Sequence, residues 1–476
     1  MLRQFAIGVA AILLSMPCGL DGAKWLRIES PHFELYTTDD AKSGREAVQH
    51  FEQVRSAFID IIGVKLVNTR PVSIVAFRNP DEYAPYRIHD NVAAFYMANP
   101  RHDFIVISDL AVEHHSFAVH EYTHLVIDQA GLKLPLWLNE GFAEIYSTMR
   151  VAGNKILVGR IIPARLNAAQ SGLIDLREIL TANRNSAVYT APGQQSIFYG
   201  ESWALVHMLK FSKPYAEGID RFLDAVGRGE PSESALERIY GKPLADIQKD
   251  LNAYVHSDKF NEGVIKAKLG DTDFDPVVTD ADPTEITLIL AEVQYGGPKH
   301  EDSVSTLRSL CLVGHGNLRA CETLAWLSLA QHPQEAVDPF RRALELKTQD
   351  AVLCREFAAR LGQAGSDADA IAALRRAAEI APENSDTEER LAAYAMLHKD
   401  YAEAFLRLRL VKKLDKSHAF AYYKALAFSA YQIGKVEEAK TAAARVRQYA
   451  SNAQEQAIGE QLWSYVNGSG IPSAPR

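Results

Sequence analysis

Two histidines four residues apart, His120 and His124, stand in the run FAVHEYTHLVIDQ. A helix brings positions i and i+4 onto one face, so both imidazoles can project toward one metal ion. Glu121 directly follows the first histidine, where its carboxylate can take a proton from a water polarised by zinc. The activated water would then attack an amide carbonyl. The motif is short, and two histidines on an ordinary helix satisfy it as well.

The next segment narrows the choice. LPLWLNEGFAEIY places Glu140 sixteen residues after His124. A turn and a second helix can return Glu140 to the ion as third protein ligand, leaving a fourth position for water. Glu144, one helical turn further on, is placed to accept a hydrogen bond from a ligand imidazole, with His120 the expected donor, and so to fix its tautomer. Both glutamates also fit a solvated helix face.

HEYTH followed by WLNEGFAE resembles the gluzincin class of zinc peptidases, and the stretch from about Trp25 to His256 resembles the peptidase MA-like family. The resemblance implies a Zn2+ cofactor held by His120, His124 and Glu140, Glu121 as base and then proton shuttle, and a peptide or protein substrate. The spacing between the two motifs is shorter than in the aminopeptidase branch, and no GAMEN-like motif for a free amino terminus is present. FYGESWALVHML is similar to a family segment whose tyrosine stabilises the tetrahedral oxyanion. That likeness makes Tyr199 a candidate donor. An amphipathic packing tyrosine is the alternative, and His207 is a weaker candidate for the role. Trp203 reads as core, and His114 and His115 as surface or packing residues. Tyr96 and its neighbours could line a peptide by edge-strand pairing.

The elements that would position these groups follow from periodicity. Residues His32 to Tyr36 and Val72 to Phe77 read as strands flanking an amphipathic helix from Ala41 to Ile62. Ala93 to Met97 and Phe104 to Ile107 suit antiparallel neighbours. Helices dominate from Val112: one runs through Ile127, a second begins near Asn139, and a third covers Tyr199 to Phe211. Residues 160–195 read as polar and irregular. The fold class expected is α+β: a zinc-peptidase domain over 24–256, with a small mixed or antiparallel sheet and a mainly helical active-site lobe, then an all-α solenoid.

Residues 257–285 read as a linker, on the Asp, Gly and Pro in DPVVTDADPTE. Beyond it, over 286–476, Ala336, Phe340 and Ala343 recur as Ala370, Leu374 and Ala377, displaced by 34 residues. Ala404, Leu408 and Val411 follow at the same displacement, then Ala439, Ala443 and Val446 at 35. Small residues let paired helices approach closely, and this spacing is the mark of tetratricopeptide-like hairpins, with Gly434 in the last turn. Such a surface suits a protein substrate or partner. The reading from a different class is therefore an exported binding scaffold whose peptidase-like domain has little turnover.

Met1 to Arg3 carry positive charge ahead of the apolar run FAIGVAAILLSM, so residues 1–23 read as a signal peptide and the chain as periplasmic or extracellular. Membrane attachment is expected only if that segment is retained. The 476 residues predict two or three domains. A net charge of −9 and the lack of a phosphate loop, zinc ribbon or basic aromatic module give no support to nucleic-acid binding. Cys311, Cys321 and Cys354 are widely spaced and read as small buried thiols rather than a disulfide framework.

Overall fold

The computed structural model describes residues 24–62, 72–88, 92–98, 102–152, 155–266, 274–332, 334–363 and 365–468. The signal peptide read over 1–23 lies outside the described residues. The chain forms two compact units, Met1–Ser303 and Val304–Arg476. It is α+β and mostly helical.

The first unit opens with β1 (Leu26–Glu29), β2 (Phe33–Thr37), α1 (Ala41–Ile62), β3 (Val72–Ala76), α2 (Pro80–Tyr83), β4 (Ala94–Ala98) and β5 (Asp103–Ile107). A 3-10 turn, Val112–His114, leads into α3 (His115–Gln129), then α4 (Leu136–Ser147), β6 (Arg150–Ala152) and β7 (Lys155–Val158). Next come α5 (Pro163–Gln170), α6 (Leu176–Thr181), α7 (Ala187–Thr190), α8 (Gln194–Phe211), α9 (Lys213–Ala216), α10 (Ile219–Gly227), α11 (Ser232–Tyr240) and α12 (Leu244–Val255). β8 (Gly263–Lys266), β9 (Val277–Asp280) and α13 (Pro283–Gln294) complete the unit.

The larger sheet runs β4-β5-β3-β2-β1-β9 and is mixed: β2, β3 and β5 are parallel, while β4 and β1 are antiparallel to their neighbours. Side chains alternate between two cores, as a pleat requires. Phe33, Leu35, Val72, Ile74, Ile105 and Ile107 enter one core with α1 and α3. Tyr36, Val75, Phe104 and Val106 point into the other, where Ile286, Ile289 and Val293 of α13 cover them. On α1 the buried stripe Ala47, Val48, Phe51, Val54 and Phe58 has helical spacing, each large apolar group contributing about 1.5–3 kcal/mol. Gly44 lets the helix lie tightly on the sheet: a Cβ there would stand 2.1 Å from Ile28 Cδ1.

Residues 257–285 are not the linker expected. β8 pairs antiparallel with β7 in the second sheet, β6-β7-β8, and β9 pairs antiparallel with β1. The division between units lies after Ser303 rather than at 286, because α13 is consumed in covering the larger sheet. The polar stretch 160–195 likewise holds three short helices, α5, α6 and α7.

The second unit consists of α14 (His300–Leu312), which spans the division, followed by α15 (Leu318–Gln331), α16 (Val337–Glu345), α17 (Ala351–Gln363), α18 (Asp367–Ile380) and α19 (Ser385–Leu397). α20 (Tyr401–Leu410), α21 (Ala419–Gln432), α22 (Val436–Tyr449) and α23 (Ala453–Val466) end it. Successive helices pair, α15 on α16, α17 on α18, α19 on α20 and α21 on α22. The recurring Ala336, Phe340, Ala343, Ala370, Leu374, Ala377, Ala404, Ala439, Ala443 and Val446 are all fully buried. Gly434 turns the last hairpin at φ 78°, where a Cβ would be strained. Cys311 and Cys321 form a disulfide joining α14 to α15, which corrects their reading as thiols; Cys354 is buried and free. The chemical reason is proximity: their Cα atoms stand 4.7 Å apart, within disulfide range. Among the described residues no helix is long and apolar enough to cross a membrane.

Candidate metal centre

α3 buries Ala118, Val119, Tyr122, Leu125 and Val126, a stripe that leaves His120, Glu121 and His124 on the opposite face. Pro135 ends the intervening turn and starts α4, which is buried along nearly its whole length. α4 crosses α8 at Gly141, where a Cβ would meet Ser202 O at 2.6 Å. α5 crosses α8 at Gly200, where a Cβ would meet Arg165 O at 2.6 Å. Two glycines thus set the distances among the helices that carry the polar groups.

His120 Nε2 and His124 Nε2 are 3.2 Å apart, and each lies 3.4 Å from Glu140 Oε2. These three are the His, Cys, Asp or Glu cluster with metal-holding geometry among the described residues. Zinc bound tetrahedrally at about 2.0–2.1 Å spaces its ligands about 3.3 Å apart, so the triangle has the right edges. Glu140 Oε2 is also buried, and the two imidazoles 3.4 Å away make no well-formed hydrogen bond to it, an arrangement that a cation between the three groups would satisfy. On both counts the residues fit zinc.

Burial pushes the Glu140 carboxyl up, but the two imidazoles outweigh it and bring it down to about 2. Burial lowers the His120 imidazole, and the carboxylates of Glu140, Glu144 and Glu121 reverse this, raising it to about 9. Glu121 is raised, chiefly by burial against the opposing pull of both histidines. One of its oxygens accepts the Tyr96 main-chain N–H at 2.9 Å, which orients the carboxylate and engages part of the β4 edge. Tyr96 is therefore tied to Glu121 through its backbone, and its hydroxyl donates to Asp103 at 3.0 Å.

His124 Nδ1 is 3.1 Å from Asn139 Oδ1, a partner that the sequence reading passed over although it immediately precedes Glu140. Glu144 Oε1 lies 3.6 Å from His120 Nδ1, beyond hydrogen-bond length, and 2.7 Å from Arg165 Nη2. The expected bond from His120 is thus displaced by an ion pair to α5. Arg165 also lies over the Tyr199 ring, 5.0 Å from its centroid. Tyr199 stands beside the site, its ring 6.4 Å from that of His120, and its hydroxyl is 3.3 Å from the hydroxyl of Tyr189. Burial first, then the nearby Glu140 carboxylate, raises Tyr199 far above the ordinary phenol range, so it stays a proton donor.

His207 is not available as a donor to substrate: Nδ1 meets Tyr254 Oη and Nε2 meets Gly159 O, both at 2.7 Å. Burial lowers its pKa to about 4. Trp203 is fully buried. His115 is buried with Nε2 3.2 Å from Leu110 O, and His114 Nδ1 is 2.6 Å from Asp109 Oδ1, so neither joins the triangle. Arg165, Tyr189 and Asn139 are the neighbours that sequence reasoning missed.

No known protein-family profile matches the chain, and no curated protein matches it. Among solved structures, the chain matches one titled "Crystal structure of MamA protein" at 12% identity and a TM-score of 0.26, over 40% of this chain and 98% of that one. A likeness so slight carries neither fold nor function.

Proposed function

We propose that the first unit is a zinc metallopeptidase of the gluzincin, peptidase MA-like type. The observation that carries this reading is the triangle of His120 Nε2, His124 Nε2 and Glu140 Oε2, with Glu121 on the same helix face. When bound, zinc supplies Lewis acidity to water and to the scissile carbonyl. Glu121, raised above its ordinary range, accepts the proton of the attacking water and passes it to the leaving amine. His120 and His124 bind through Nε2, and Asn139 holds His124 by its other nitrogen. Tyr199, kept protonated, donates to the oxyanion.

The second unit is read as a tetratricopeptide-like solenoid that recognises a protein substrate or partner. Its buried Ala and Leu positions at a 34-residue displacement support this. Export to the periplasm or outside the cell is supported by the apolar N-terminal run and by the Cys311–Cys321 disulfide, which belongs to an oxidising compartment. The test is zinc content together with cleavage of a diverse peptide library by the intact protein and by Glu121→Gln. One bound zinc and cleavage lost in the variant are expected; a zinc-replete protein that binds no zinc would sink the reading.

A further inference from the structure

The same oxygen of Glu144 faces two partners. It stands 2.7 Å from Arg165 Nη2 and 3.6 Å from His120 Nδ1, and the Glu144 side chain is almost wholly buried. The guanidinium that holds it also lies over Tyr199. The main chain at Arg165 packs closely on Gly200, the residue after Tyr199: a Cβ there would meet the Arg165 carbonyl at 2.6 Å. Three carboxylates, of Glu121, Glu140 and Glu144, surround the imidazoles, and Arg165 is in direct contact with that of Glu144.

We propose that Arg165 is a positioning residue for this site: one guanidinium fixes both the Glu144 carboxylate behind His120 and the ring of Tyr199. The proposal rests on the zinc-peptidase reading for its consequence in turnover, though not for its geometry. An ordinary surface ion pair would leave both the ligand and the phenol unmoved when broken. Here the pair is on the inward side of α5, and one guanidinium brings Nη2 to Glu144 while its central carbon lies over Tyr199, two contacts that a shifted charge would not keep together. With Arg165 removed, the Glu144 oxygen is freed to close on His120 Nδ1, and the Tyr199 ring loses the cation that lies 5.0 Å from its centroid. The ligand shell and the oxyanion donor should therefore change together.

The experiment uses the full chain loaded with cobalt(II), whose visible absorption reports ligand geometry at sites of this kind. Arg165→Met and Glu144→Gln should each shift the cobalt bands, and the double variant should shift them no further than the larger single change. Tyr199→Phe should leave the bands in place. In peptide turnover, Arg165→Met should lower kcat by about 10-fold to 100-fold with KM within about twofold, as losses of outer-shell partners do. Adding Tyr199→Phe to it should cost less than Tyr199→Phe costs alone. Arg165→Lys, which keeps the charge without the planar guanidinium, should recover part of both signals, and it stands in if the methionine variant fails to fold. Folded Arg165 variants with wild-type cobalt bands, or effects that simply add, would overturn the proposal. If wild type shows no Glu121-dependent turnover, the peptidase reading falls, and the cobalt bands alone decide the role of Arg165.

Discussion

The two units solve helix packing in opposite ways. In the second, most helices from α15 onward meet a neighbour in the chain, with alanines such as Ala370, Ala377, Ala439 and Ala443 buried, and the polar side chains remain mostly outside. In the first, partners come from far along the chain: Arg27 of β1 pairs with Thr279 of β9, 252 residues away. Its tight crossings at Gly141 and Gly200 enclose Glu140, Glu144, Arg165 and Tyr199. Local, repeated contacts make a stack that tolerates variation unit by unit. Non-local crossings hold a few charged atoms within tenths of an ångström, as a metal site needs.

The comparison breaks most sharply at Glu121. Glu121→Gln should lower kcat by about 10³-fold or more, since a general base contributes about 10²–10⁴-fold, while leaving both unfolding transitions in place. Rates from peptide cleavage and a calorimetric scan would check this; a variant with wild-type turnover would refute it. In the second unit, Leu374→Ala should cost about 3 kcal/mol in that unit alone, because Leu374 is fully buried. Denaturant unfolding followed by local probes should show one transition moved and the other fixed. Zinc should do the reverse. Saturation at 100 times its Kd should stabilise the first unit by about 2.7 kcal/mol, reversibly on chelation, with no shift in the second.

How much of this was readable in the chain depended on locality. HEYTH and NEGFAE lie within single helices, and their spacing alone put His120, Glu121, His124 and Glu140 on facing surfaces. The alanine repeat was legible for the same reason. Arg165 and Tyr189 were not, because α5 and α7 are too short, at 8 and 4 residues, to display a period. Their roles depend on crossings with α8. β8 and β9 were hidden as well: four-residue strands flanked by Asp, Gly and Pro look like a linker until their partners are known. The cysteine pair, 10 residues apart, needed the turn from α14 into α15 to bring the two Cα atoms to 4.7 Å.

A pH-dependent effect of similar size belongs to a buried acid outside the proposed chemistry. Burial pushes Glu201 up to about 8 from an ordinary 4.5, against the opposing hydrogen bond from the Ile174 N–H. The folded protein therefore holds a proton that the unfolded chain releases between these values. Its contribution to stability is full below about pH 4.5 and is lost progressively as pH rises to about 8. Glu201→Gln should flatten that decline in the first unit, so that the variant gains on wild type as pH rises. Paired denaturant titrations at pH 5 and about pH 8 measure it, and parallel curves for the two proteins would refute it.

The pairing of β1 with β9 also has a consequence in time. A ribosome releases the first strand long before the strand that shields its outer side, so β1 waits as a bare hydrogen-bonding edge through most of synthesis. A fragment ending near His256 would keep that edge open for good and invite pairing between copies, whereas one carried through Ser303 would close it.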